Sequence, residues 1–195
     1  MKKWGMNVRF LRTAAALFVL GMILGAIAVN ILADSTVDRA GILSDYFLRQ
    51  YKYLEIDRTE LFLYILKKRM KWIVLLWAAG FTAAGIPSAA AAVLWMGFSA
   101  GTLMGIAVLK LGGWGLLFTA SAIFPQTLFY IPAWIFFLNG IYLKAGGWTD
   151  RRGAGNSLAG YVLLFVGMCL FMMFGILLES SLNPWVVRQI LQIIL

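Results

Sequence analysis

The sequence predicts an all-α, polytopic helical membrane protein forming a single membrane domain over residues 1–195. Three observations carry that prediction. Four stretches hold no charged residue at all: Thr13–Ala33, Trp72–Leu109, Leu111–Leu143 and Gly153–Leu178. About 20 apolar residues cross the hydrocarbon core as a helix, so each stretch is long enough to span and the second is long enough to span twice. The chain is 62% hydrophobic and only 13% charged, against about a quarter charged in soluble domains. Its charges gather between the four stretches, as expected where each charge buried in lipid costs several kcal/mol.

The first element resembles a secretory leader, with Lys2, Lys3, Arg9 and Arg12 ahead of an apolar run. That run exceeds the roughly 7–15 residues of a leader core, so it reads as an uncleaved first span, residues 13–32. A polar segment follows, residues 34–71, with six acids and eight bases. Leu43, Phe47, Tyr51 and Leu54 recur in it at helical spacing. A helix is expected to start at Asp57, with Glu60 three residues on as its capping-box partner. It carries Leu61, Phe62, Ile65 and Leu66, then the cluster Lys67-Lys68-Arg69-x-Lys71, and no breaker separates it from the next apolar run. The segment therefore reads as interfacial amphipathic helices, the last bending into span two.

Spans two and three read as a hairpin, residues 72–84 and 89–109, turned at Gly85-Ile86-Pro87-Ser88. The 33 residues Leu111–Leu143 are too many for one straight span and too few for two. Pro125 and Pro132 are expected to break them into a half-helix, 114–124, and a fourth span, 126–143. The polar loop Lys144–Asn156 leads to span five, residues 157–178. An amphipathic helix, 184–195, closes the chain, with Arg188 and Gln189 opposite Trp185, Val186 and Ile190. Trp4, Trp72, Trp148 and Trp185 fall near the expected interfaces, where aromatic belts form. An amino terminus in the cytoplasm leaves seven Lys and Arg inside and ten outside. The positive-inside count opposes that orientation, and the four bases and no acid of the first arm favour it.

A net charge of +9 raises nucleic acid as a partner. The bases flank the spans, where they meet anionic lipid headgroups, and no basic face is interleaved with aromatics. Membrane lipids are therefore the expected partner and nucleic acid is not. There is no histidine and one cysteine, Cys169, mid-span. That excludes histidine acid–base chemistry, histidine-ligated metal and an intramolecular disulfide. No acid or base lies inside a span away from its ends, which disfavours ion-coupled transport and proton pumping. With no phosphate-binding loop, paired carboxylates or zinc-protease motif, the chain is expected to be no enzyme and to need no cofactor or metal.

Two local features stand out. Gly97, Gly101 and Gly105 make two consecutive GxxxG steps on span three, and Gly21 and Gly25 make another on span one. Glycine at this spacing lets backbones approach where lipid supplies no hydrophobic drive for association. The steps serve packing within the chain or a homo-oligomer interface, and in either case span three is expected to be central, with Gly101 mattering more than Gly21. The second feature is Phe124-Pro125-Gln126-Thr127-Leu128-Phe129-Tyr130-Ile131-Pro132. Its prolines are two turns apart and free the carbonyls of Ser121 and Leu128, which Ser121, Gln126 and Thr127 are placed to satisfy. A broken helix here either lines a cavity or docking site or is a packed structural kink.

The block Phe124–Pro132, with the cationic arm, the long segment after span one and the glycine-rich span three, resembles stage II sporulation protein M of endospore-forming bacteria. The similarity covers essentially the whole chain. Many relatives in the wider family read Pro-His-Gly with an acidic residue where this chain has Pro125-Gln126-Thr127 and an uncharged helix. That departure speaks against a metal or proton role for the motif and toward the sporulation branch. The resemblance implies a non-enzymatic scaffold at the sporulation septum. It would anchor and localise a lytic transglycosylase and an amidase, the stage II sporulation proteins D and P, which thin the septal wall and drive engulfment. The other reading open at this point is the membrane subunit of a transporter or channel working with a separate ATPase. In that case the broken helix should line a watery path containing Gln126 and Ser121, whereas a scaffold should pack it dry or bind a partner helix there.

Overall fold

Where they are described, the charge-free stretches are helix apart from the turns at Gly80–Ala84 and Gly112–Gly113. The computed structural model describes residues 8–31, 57–149 and 158–182, with Trp185, Val186 and Gln189 beyond them. The helices are α1 (Val8–Ile31), α2 (Arg58–Ala79), α3 (Gly85–Leu111), α4 (Trp114–Thr149) and α5 (Leu158–Ser181). Among the described residues there is no strand. Among the described residues, four segments are long and apolar enough to cross a membrane: α1, α3, Gln126–Gly146 of α4, and α5. The start of the amino-terminal arm, the Leu43–Leu54 stripe, Asp150–Asn156 of the polar loop and most of the final amphipathic helix lie outside the described residues. Of that last helix, Trp185, Val186 and Gln189 are helical.

The two glycine steps meet each other. A Cβ added at Gly21 would fall on the Leu94 carbonyl oxygen, and one at Gly25 on that of Phe98. From the other side, a Cβ at Gly97 would fall on the Phe18 carbonyl oxygen and one at Gly101 on that of Met22. Glycine is therefore the residue this seam requires on both helices, and the backbones touch without side chains between them. The steps are used within the chain. Partners advance together, Gly21 on Leu94 and Gly25 on Phe98, so α1 and α3 run parallel. Gly21 and Gly101 line opposite sides of one contact, each against backbone of the other helix.

Two parallel spans require a return between them, and α2 is the helix described between them, ending beside the start of α3. Taken alone, α2 is not apolar enough to count as a span, because Lys67, Lys68, Arg69 and Lys71 sit at its middle. The independent second span expected at residues 72–84 is thus the apolar half of a helix that begins at Arg58. Its start is as the capping chemistry dictates: the Asp57 carboxylate accepts hydrogen bonds from the backbone N–H groups of Thr59 at 2.8 Å and Glu60 at 3.4 Å.

The turn between α2 and α3 is Gly80–Ala84, not Gly85–Ser88. Gly85-Ile86-Pro87-Ser88 forms the first turn of α3, where a missing proline N–H leaves no bond unmade. Gly80 is needed where it stands: a Cβ there would strike the Tyr161 hydroxyl, which donates to the Trp77 carbonyl at 2.8 Å.

The separate half-helix at 114–124 is also corrected, since α4 runs helical from Trp114 to Thr149 through both prolines. Each proline removes one hydrogen bond, whereas ending a helix in lipid would leave several backbone groups without partners. Its 36 residues would reach about 54 Å if straight, well beyond a hydrocarbon core of about 30 Å. The core lies among α2, α3, α4 and α5, around Ile73, Val93, Phe137, Ile141, Tyr161 and Met172. α1 is laid against the outside of this group, largely along α3.

Gly21→Leu and Gly101→Leu are each expected to lower membrane abundance and detergent stability to a similar degree, by at least the roughly 1–3 kcal/mol of overpacking. The double variant should be little worse than either single, because one separation of α1 from α3 relieves both clashes. Normal stability of Gly21→Leu beside an unstable Gly101→Leu would contradict the shared seam.

Candidate functional site

Helical phase divides α2 into two faces. Phe62, Ile65, Leu66, Met70, Ile73, Leu76 and Trp77 pack against the core. Arg69 shares that inward phase, while Lys67, Lys68 and Lys71 are exposed. A cluster that reads in sequence as one basic run is therefore split, with one cation turned into the bundle and three turned out.

The inward cation is met by the one acid of α5. Arg69 Nη2 lies 2.9 and 2.8 Å from the two carboxylate oxygens of Glu179. The Tyr130 hydroxyl of α4 donates to Glu179 Oε2 at 2.6 Å. The Arg69 guanidinium also lies over the Tyr130 ring, 4.3 Å from its centroid, a cation–π contact. Gly175, one turn before Glu179, makes room for the ring: a Cβ there would overlap Tyr130 Cε1. Three helices are thus joined at one charge-neutral point. Both carboxylate oxygens are engaged, which suits a clamp better than a proton carrier. Exposure of 33% for the Arg69 side chain and 18% for Glu179 keeps the stabilisation toward the low end of the 1.5–3 kcal/mol typical of bonds to charged groups.

The proline motif contains Tyr130, the clamp's member on α4. Gln126 is buried, whereas Phe124, Leu128 and Ile131 are exposed on the opposite side. The Ser121 hydroxyl donates to the Phe118 carbonyl and that of Thr127 to the Phe124 carbonyl, both at 2.8 Å. These are not the carbonyls the prolines free, so the expected satisfaction of Ser121 and Leu128 by these two hydroxyls is corrected. Each instead bonds one turn back along its own helix.

Pro132 opens a different feature. With Ala133, Phe136 and Asn139 of α4, and Gly160, Leu163, Gly167 and Phe171 of α5, it lines a groove of about 360 Å³. Leu163, Phe136 and Phe171 on its rim are exposed, so the groove opens sideways from the bundle. Gly160 and Gly167 are two turns apart on one face of α5, and a Cβ at Gly167 would meet nothing within 4 Å. Neither Gln126 nor Ser121 lines this groove. The motif's residues therefore serve different places: Gln126 the interior, Pro132 the groove and Phe124 the outer surface. The glycines at 21, 25, 97, 101 and 105 lie apart from it in the α1–α3 seam.

Sequence reasoning missed Arg69, Glu179 and Gly175 as a unit. Arg69 and Glu179 are 110 residues apart, and no local pattern links them. The available signals were the inward phase of Arg69 and the solitary acid Glu179 four residues after a glycine. Among the described residues, no three His, Cys, Asp or Glu side chains gather in a way that could hold a metal ion.

The sequence model of the SpoIIM family, stage II sporulation protein M, matches residues 14–184 of the chain. No curated protein and no solved structure matches it. The matched stretch includes α2 to α5 whole, and with them the clamp, the proline motif and the groove.

Glu179→Gln is expected to lower detergent stability by about 1–3 kcal/mol and Tyr130→Phe by about 1 kcal/mol. Arg69→Gln combined with Glu179→Gln should cost less than the two singles summed, because the partners are in contact. Strict additivity in that double-mutant cycle would show that the pair does not tie α2 to α5.

Proposed function

The chain belongs to the stage II sporulation protein M family, and from that premise we propose that it is a non-enzymatic membrane scaffold for peptidoglycan hydrolases at the sporulation septum. The coarser statement, a sporulation-related membrane protein, rests on the family and on the four apolar helices. The finer reading is what the family resemblance implies, and the groove at Pro132 supports it. In it the chain holds the membrane anchors of wall-cutting partners, of the kind of stage II sporulation proteins D and P, and so supports septal thinning and engulfment.

The observation that carries this reading is the groove at Pro132. It is largely apolar, opens sideways from the bundle and is floored by glycine. Those properties suit the ridge of a partner's transmembrane helix, since small residues let helix backbones approach closely in lipid. A transporter needs a polar path along the proline motif. Here Gln126 is packed into the interior and the groove contains neither it nor Ser121. The clamp supports the same reading, because a docking face on α4 and α5 needs those helices fixed against the rest of the bundle.

Filling the groove without disturbing the fold separates docking from stability. Gly167→Leu projects into open space, so abundance should stay within about twofold of wild type while co-purification with the hydrolases falls at least tenfold. Gln126→Leu should act oppositely, lowering abundance through a lost buried hydrogen-bonding group, about 1–3 kcal/mol, with binding per folded molecule unchanged. Normal co-purification and engulfment in Gly167→Leu would overturn the groove as the docking face. The purified chain should not cleave cell-wall sacculi, and cleavage by the isolated chain would overturn the scaffold reading itself.

A further inference from the structure

The outward face of α2 has a composition that the bundle does not explain. Tyr64 and Trp72 are 64% and 61% exposed, and Lys67, Lys68 and Lys71 are exposed between them. Residues three and four apart are neighbours on a helix surface, so Tyr64, Lys68, Lys71, Trp72 and Leu75 form one continuous strip. Lys68 Nζ sits 5.8 Å from the centroid of the Tyr64 ring. Among the described residues, none of the three lysines has an acidic partner within salt-bridge distance, because the acid at this level, Glu179, is taken by Arg69. Immediately after Lys71 the strip turns apolar, with Trp72, Val74 and Leu75 exposed on the half of α2 that follows the cations.

We propose that this strip is a binding site for an anionic phospholipid. Lys67, Lys68 and Lys71 hold the headgroup phosphate, and the acyl chains run beside Trp72 and Leu75. The order of residues selects the occupant. Three cations followed by a tryptophan and then aliphatic side chains reproduces, along one face, the sequence of layers that a lipid presents: charged headgroup, interface, hydrocarbon. A soluble acidic protein or a nucleic acid would complement the lysines but would place Trp72, Val74 and Leu75 against charge or water. The Arg69–Glu179 clamp sets the rotation of α2 and so keeps the three lysines outward. The site would let this face of the bundle tell anionic from zwitterionic membrane.

The test uses the full-length chain in detergent micelles, with bound phosphatidylglycerol and phosphatidylcholine counted by native mass spectrometry. The wild-type protein should retain phosphatidylglycerol preferentially, and the preference should collapse between 50 mM and 500 mM salt, conditions chosen to move the Debye length from about 14 Å to about 4 Å. Each lysine near a membrane surface contributes about 1 kcal/mol. Lys67→Gln, Lys68→Gln and Lys71→Gln together should therefore reduce the preference roughly 100-fold, at about 1.4 kcal/mol per factor of ten. Arg12→Gln, on α1, should leave it unchanged, and replacing all three lysines by arginine should preserve it. Equal retention of the two lipids by wild type would overturn the site without need of any variant. A preference surviving in the triple glutamine variant, or competed away equally by inorganic phosphate at the same headgroup concentration, would overturn it as well.

Discussion

The contact between Arg69 and Glu179 is what makes α2 part of the bundle rather than a helix lying on it. Four cations in five residues would ordinarily keep this stretch at the headgroup level, even with an apolar face from Phe62 to Trp77 toward the neighbouring helices. Turning Arg69 inward converts that liability into a fixed rotation. Once the guanidinium straddles the Glu179 carboxylate and lies over the Tyr130 ring, Ile73 and Trp77 follow onto the core face by helical phase. Trp77 then stacks on Tyr161 at 5.9 Å between ring centroids, and the Tyr161 hydroxyl closes on the Trp77 carbonyl across Gly80. The turn Gly80–Ala84 is held at its position by the same set of contacts. The hairpin that brings α3 back across the bilayer is thus anchored at one end by an ion pair and at the other by aromatics.

The opposite side of α3 is held by a different force. In lipid, apolar side chains gain little by leaving one apolar environment for another, so α1 cannot be kept on α3 by hydrophobicity. It is kept by proximity: Gly21 and Gly25 against Gly97 and Gly101 bring carbonyls and backbone atoms into van der Waals range over two turns. Ala89 and Val93 precede Gly97 and Gly101 at four-residue spacing on the same stripe of α3, and nearer the start of the helix that stripe packs into the core. A single helix therefore joins a glycine-zipped pair to a side-chain-packed group at successive levels along its length.

What could be read from the sequence follows the range of the physics involved. Asp57 as a helix cap was legible because capping is settled within three residues. The glycine steps were legible as steps, since their spacing is local, but not as partners of each other. The prolines misled at Pro125 because a propensity that breaks helices in water is outweighed in lipid by the cost of unpaired backbone groups. Pro87 misled for a related reason: within the first turn of a helix a proline breaks nothing. Arg69 with Glu179 was not legible, being a tertiary pairing across 110 residues. Within the proline motif, only periodicity counted from Tyr130 could have shown that Gln126 faces inward while Phe124 and Leu128 face out.

The separation of roles along α4 bears on why a scaffold would carry so distinctive a motif. Gln126 and Tyr130 share the inward face, four residues apart, and the second of them completes the clamp. Pro132 comes two residues later, where the groove against α5 begins. The ring of Pro132 leaves no donor for the Leu128 carbonyl, so the helix at that point has lost one of the bonds that would hold it straight. Placing the clamp immediately before that weak point fixes α4 to α2 and α5 on one side of it, and leaves the stretch beyond to set the width of the groove. On the far side Gly140 packs against the Leu164 side chain, which fixes the groove's other end. A docking face of the proposed kind, bounded by two fixed contacts with a proline at its mouth and an open glycine in its floor, would present one shape to an incoming helix. Holding a partner in register requires that constancy. Conducting a solute requires the reverse, a path whose walls move, and beside the groove the interior along α4 is closed by Phe137 and Ile141 at zero exposure, with Asn139 buried among them.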